Sequence, residues 1–462
     1  MLITKEKTGW AALLTGNNGI KSIALAGGVM LHATDVYLAT TIMPSITSDI
    51  GGLNFYSWAT TVYIVAAMIG SVISSRTLIK QGPRVAYRTA IFSFSVGALI
   101  CALAPSIYIL LIGRFVQGIG GGLLFALSYA MVSIVFEEKL WPRAMALISA
   151  MWGVSAFSGP FIGGVFAQFG HWRSAFFTLL GIAFIIVLLT EKVLPKKEAG
   201  GAAPDKIPLF KLLLITLAAL SISVGSITAH MAANIAGVAG AVILLGALVF
   251  SEKNSSNRLL PHGAYKISSK LGTTYLVISF LAIAATVEIY VPYFMQEIHH
   301  FSPLKAGYLT VLIALGWSAA SIAFAGMDKQ ANKMILMGPV FIFIGLTGLS
   351  VVLPGGFNII GMCLLLVSIG AGVGMGWSHL LTRVLKAAMP GEEAKASASI
   401  SIVQLLATSC GTALAGLVAN STGILNPGGI VGAQQAAGWL MGTFAIAPML
   451  AFVLLLRNRE RQ

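Results

Sequence analysis

Long apolar runs separated by short polar breaks recur from one end of this chain to the other. A helix rises ~1.5 Å per residue, so about 20 apolar residues cross the ~30 Å hydrocarbon core of a bilayer. Runs of that length occur fourteen times, between about residues 22 and 456. A soluble helix of the same length would carry a polar stripe, and these runs do not. The expected fold class is an all-α polytopic membrane protein. With 57% hydrophobic and only 10% charged residues, no stretch is left over for a soluble domain between the crossings.

The charges set the topology. Twenty-nine Lys and Arg against 15 Asp and Glu give a net +14. In a soluble chain that excess would suggest a nucleic-acid partner. Here the basic residues gather in alternate loops: Lys80, Arg84 and Arg88; Lys192, Lys196, Lys197, Lys206 and Lys211; Lys253, Arg258, Lys266 and Lys270. The opposite side receives only Arg173 and Lys305. The positive-inside rule then puts both termini in the cytoplasm, and no nucleic-acid partner is expected. Cys101, Cys363 and Cys410 lie in or beside apolar runs. They form no zinc spacing or disulfide framework, so no metal or cofactor is expected.

The basic loops divide the crossings as 6 + 2 + 6. Residues 1–21 form a cytoplasmic segment, 22–191 a six-helix bundle and 192–270 cytoplasmic linkers around two extra crossings at about 209–251. Residues 271–456 form a second six-helix bundle, and 457–462 a cytoplasmic tail. Six-plus-six halves are the repeat logic of many secondary transporters. The extra pair is expected to contain no carboxylate and to be a peripheral spacer.

Two segments are distinctive. The fourth crossing carries Arg114-Phe-Val-Gln117-Gly118-Ile-Gly120-Gly121-Gly122. The fifth carries Gly153-Val-Ser-Ala-Phe-Ser-Gly159-Pro160-Phe-Ile-Gly163-Gly164. Together they resemble motif B and the helix-five antiporter motif of the major facilitator superfamily. With fourteen crossings, the chain is similar to that family's proton-coupled drug-antiporter branch. Asp35 and Pro44 in the first crossing match an acidic element of the same exporters. The loop after the second crossing departs from the family: Ile79 stands where an aspartate belongs, leaving Lys80, Gly82 and Arg84. These three are expected to contact helix-end carbonyls or lipid phosphates, with Glu137 and Glu138 as other possible partners. The resemblance implies a major facilitator fold, with protons as the coupling ion.

The intramembrane charges are the candidates for chemistry. A carboxylate at the bilayer centre costs at least ~2.5 kcal/mol, so Asp35 is expected to face the bundle interior and exchange a proton. The resemblance places Arg114 beside Asp35, favouring the deprotonated form. Glu288, with Tyr290 and Tyr293 nearby, suits an organic cation through charge and ring-face attraction; an outer-gate role fits it equally. His32, three residues before Asp35, shares its helix face and is a relay candidate or a packing residue. Tyr63, Tyr129, Trp317, Trp377 and His379 are further cavity candidates, and Trp58 is either one of them or an interfacial anchor. Gly153, Gly159, Gly163 and Gly164 suit close helix packing, and Pro160 a bend.

The reading is a proton-coupled antiporter, not an enzyme, exporting small lipophilic or cationic compounds by alternating access. It would act as a monomer in the lipid bilayer of a bacterial cell (inner) membrane. Two alternatives stay open: a transporter of the same fold with a dedicated substrate, such as a siderophore, lipid or metabolite, and a non-transporting sensor or scaffold.

Overall fold

The computed structural model describes residues 10–137, 140–196, 208–228, 230–253, 255, 258–324, 327–355, 358–387, 389 and 392–459. Lys197, Lys206 and Glu138 lie outside these residues. Among the described residues every regular element is helical. Thirteen helices are long and apolar enough to cross a membrane, and the shorter apolar helix Leu209–Gly225 stands with them as the extra crossing expected there.

The spanning helices are α1 Gly16–Ile50, α2 Trp58–Gln81, α3 Pro83–Ala102, α4 Ile107–Ala130, α5 Trp141–Gln168, α6 Trp172–Val193 and α7 Leu209–Gly225. They continue as α8 Met231–Lys253, α9 Lys270–Ala285, α10 Pro303–Phe324, α11 Ala331–Val352, α12 Ile359–Ala387, α13 Glu393–Ala419 and α14 Gly429–Phe444. Three crossings run on beyond these bounds. The 3-10 turn Thr286–Tyr290 and helix Val291–Glu297 extend α9, the π-helical segment Asn420–Ile424 extends α13, and Ile446–Arg459 extends α14.

Local chemistry sets the breaks. Gly51 and Gly52, at φ 75° and 83°, end α1 in left-handed backbone that favours glycine, and the chain reverses there. Pro83 opens α3 at a position where its missing N–H is no loss. Ser269 caps α9 by accepting the Gly272 N–H at 2.9 Å.

Two compact units form. One takes the described residues of Met1–Ala39 and Ala66–Ile207; the other takes Thr40–Val65 and those of Pro208–Gln462. The tip of the α1–α2 hairpin therefore packs with the second unit. In the first unit α4 carries a face of small residues. A Cβ added to Gly120 would sit 2.6 Å from Phe94 Cα, and one on Gly122 2.6 Å from Ala67 Cα. Backbones approach this closely only where side chains are absent.

In the second unit the extra pair, α7 and α8, packs on one side only: α8 keeps Ile235, Val242, Ile243 and Phe250 exposed, as a peripheral pair would, while the other side is anchored. Ala218, Ile222 and Ala241 share a core with Cys410 and Ala413 of α13. The pair also has a carboxylate, against the expectation of none. Glu252, in the last turn of α8, is fully buried and forms an ion pair with buried Lys211 of α7. It further accepts from Leu259 N at 2.9 Å and Tyr265 OH at 3.1 Å. Leu259 and Tyr265 of the α8–α9 connection thus share one buried carboxylate.

Candidate functional site

The first unit holds a closed polar network in its interior. α1 supplies Asp35, and α4 supplies Arg114 and Gln117, one helical turn apart and so on one face. All three are buried. An Arg114 Nη1 proton reaches Asp35 Oδ2 at 2.6 Å, and the same nitrogen donates to Gln117 Oε1 at 2.8 Å. Gln117 Nε2 closes the ring by donating to Asp35 Oδ1 at 2.9 Å. From α3, Cys101 Sγ lies 3.8 Å from Gln117 Oε1.

Each carboxylate oxygen therefore has a donor, and the charge has an opposite within contact distance. A buried ion pair is tolerable only when its remaining hydrogen-bonding capacity is met in this way. Adding a proton to Asp35 would remove the opposite charge that faces the Arg114 guanidinium. Proton state and side-chain pairing are coupled by that arithmetic. Asp35 and Arg114 were expected to meet. Gln117 was quoted within its motif but given no role; its position one turn after Arg114 was the available signal.

The α5 motif packs directly behind Asp35. Thr34 Oγ1 donates to Ser155 Oγ at 3.1 Å, and Ser155 Oγ donates to the Met30 carbonyl at 3.1 Å. A Cβ on Gly159 would meet Tyr37 Cβ at 2.6 Å and the Thr34 oxygen at 3.0 Å. Gly159 thus lets α5 lie against the α1 turn that carries Asp35. Pro160, Gly163 and Gly164 are buried on the same helix. Gly153 does not share this packing: a Cβ there meets no described atom within 4 Å. His32 is buried against Phe125 and Trp152, with ring centroids at 5.5 and 5.8 Å. Tyr37 also packs edge-on to Trp152, and the Tyr129 hydroxyl lies 3.2 Å from Ser149 Oγ. Phe125 and Trp152 were not singled out from the sequence. An aromatic in an apolar helix has no signal until its neighbours are known.

The second unit pairs some of its candidates and separates others. Glu288 stands in the 3-10 turn before Val291, partly exposed; its carbonyl accepts the Val291 N–H, and its carboxylate has no hydrogen bond or ion pair among the described residues. Tyr290 and Tyr293 do not form an open ring cage around it. Tyr290 is fully buried and stacks on Tyr56 at 4.8 Å, and Tyr293 meets Tyr56 edge-on at 5.5 Å. The rings bury their faces in one another, so packing takes the surfaces a cation would need. Tyr63 is buried as well. Trp317 and Trp377 meet edge-on at 5.1 Å and stay partly exposed. His379 is buried, its Nε2 3.0 Å from the Phe324 carbonyl. Trp58 Nε1 donates to the Ser223 carbonyl of α7 at 3.0 Å, a structural bond rather than an interfacial anchor.

The degenerate loop has found a carbonyl partner. Arg84 Nε donates at 2.8 Å to Leu194 O, at the C-terminal cap of α6. A cation there complements the helix dipole. Arg88 adds a longer, partly exposed pair with Glu191 at 3.5 Å.

Comparison with known proteins agrees with this architecture. The sequence profile described as Major Facilitator Superfamily matches residues 25–412. A Mycobacterium tuberculosis protein named "Probable multidrug-efflux transporter" is 35% identical, over 98% of this chain and 97% of its own. The multidrug efflux pump SdrM of Staphylococcus aureus is 24% identical, over 88% of this chain and 91% of its own. Among solved structures, a D-xylose-proton symporter superposes with a TM-score of 0.68 at 14% identity, covering 95% of this chain and 97% of its own. The fourteen apolar helices, the matched profile and the full-length relatives together make this chain a multi-pass membrane transporter, not an enzyme, belonging to the major facilitator superfamily.

Proposed function

We propose that this transporter is a proton-coupled antiporter that exports small amphipathic or cationic organic compounds. The observation that carries the reading is the buried Asp35–Arg114–Gln117 network, in which the one carboxylate is held by a guanidinium and an amide donor. Proton uptake at Asp35 would free Arg114 and favour one state of the alternating-access cycle; proton release would restore the pair and favour the other. The names of the relatives support efflux as the direction and multiple drugs as the cargo class. The partly exposed ring pair Trp317–Trp377 offers aromatic faces that suit lipophilic cargo. Glu288, partly exposed and with its carboxylate unpaired among the described residues, is the second acid available for a cation or a proton. The protein is proposed to work as a monomer in a bacterial (inner) membrane, with both termini cytoplasmic.

The test is accumulation of ethidium in bacteria stripped of their own efflux pumps. Cells expressing the protein should hold less dye than control cells, and Asp35→Asn should return accumulation to the control level at equal expression. Equal accumulation with and without the wild-type protein across a panel of lipophilic cations would contradict multidrug export and favour a dedicated substrate.

A further inference from the structure

Three hydrogen bonds tie the tip of the α1–α2 hairpin to the rest of the second unit, and a fourth ties α13 to the end of α7. Asn420 lies at the start of the π-helical extension of α13 and is 1% exposed. Its Nδ2 spends both protons on backbone carbonyls, Asn54 O at 2.9 Å and Ser226 O at 2.8 Å. One amide therefore joins three segments: the hairpin tip, the end of extra helix α7 and α13. Trp58, the first residue of α2, donates to Ser223 O at the same end of α7. Tyr56 OH donates to the Ile289 carbonyl at 3.1 Å, below the stacked Tyr56 and Tyr290 rings.

The same seam leaves polar groups unpaired. Thr61 Oγ1, Ser223 Oγ and Asn420 Oδ1 are buried without a hydrogen-bond partner among the described residues. A permanent interface in a membrane protein satisfies such groups. A seam that parts gives them water in its other state. Strong donor bonds and unpaired hydroxyls side by side describe a contact that is held but releasable.

We infer that Asn420 and Trp58 are positioning residues of a releasable latch, through which the extra helix α7 holds the hairpin tip closed on the side that the charge distribution assigns to the exterior. The inference rests on the alternating-access reading above. It gives the extra pair a role in the transport cycle. Helix α7, anchored to α13 by its own core, is the fixed post onto which the moving tip closes.

The test uses the full-length protein with Cys101, Cys363 and Cys410 replaced and one reporter added, Ala59→Cys, at a buried position beside Trp58. A membrane-impermeant maleimide is applied from outside to intact cells, with no cargo added and the proton gradient collapsed. Labelling then reports the seam alone, and a failure of proton coupling or of drug export would not alter it. Asn420→Ala and Trp58→Phe should each speed labelling at least about five-fold, the equivalent of one net hydrogen bond of ~1 kcal/mol. A control reporter at buried Ala90→Cys in α3 should label at an unchanged rate. The inference is overturned if either variant leaves Ala59→Cys at the wild-type rate, or if both reporters speed up together, since general loosening would do that.

Discussion

Asp35, Arg114 and Gln117 act as one group, and mutations should expose that. Removing one partner of a buried ion pair costs about 3–5 kcal/mol, mostly through the charge left behind. Arg114→Ala should therefore lower the thermal unfolding temperature of the purified protein strongly. Asp35→Asn combined with Arg114→Gln should be less destabilised than the sum of the single changes, because neither charge is then stranded. Additive losses would show that the two side chains do not share an interaction. Asp35 and Arg114 were legible in the sequence because charge in an apolar run is costly and hence conspicuous. Gln117 was not, because a neutral amide in a glycine-rich helix carries no such mark. Tyr290 and Tyr293 misled for the related reason that sequence proximity to Glu288 says nothing about which way a ring faces.

At the scale of the element, the two ends of the α5 motif should behave differently. Gly159→Ala forces a methyl into the α1 backbone, an overpacking that typically costs about 1–3 kcal/mol. Gly153→Ala meets open space and should leave unfolding temperature and transport near wild type. Equal effects at both sites would contradict the packing described. The Glu252 hub makes a second prediction. Burial, followed by the Glu252 charge, raises the Tyr265 pKa well above the ordinary tyrosine range. A raised pKa means that its contribution is fully present below about pH 10 and is lost only as pH climbs beyond that. Tyr265→Phe should therefore cost about 1.5–3 kcal/mol, the worth of a hydrogen bond to a charged group. The cost should be the same at roughly pH 6 and pH 9, measured by thermal unfolding at each. The hub escaped sequence reading because Lys211 and Glu252 sit at the edges of apolar runs, where charges are normally solvated.

The whole molecule was the most legible scale. Lipid offers the backbone no hydrogen bonds, so an apolar run of spanning length has essentially one solution, a helix. Each of the fourteen runs is helical in the structure. What hydropathy could not supply was the packing of the extra pair, since lipid-facing and protein-facing residues are equally apolar. The proposed topology predicts that a fluorescent protein fused at the C-terminus will fluoresce, whereas alkaline phosphatase fused there will be inactive. The opposite pair of results would place the C-terminus outside. The central claim, that a carboxylate in α1 couples protons to cargo, is tested most directly in proteoliposomes containing purified protein and an internal pH dye. With a proton gradient imposed, adding a lipophilic cation should trigger proton movement with the wild-type protein and none with folded Asp35→Asn. Cargo transport without any accompanying proton movement in the wild type would contradict the account.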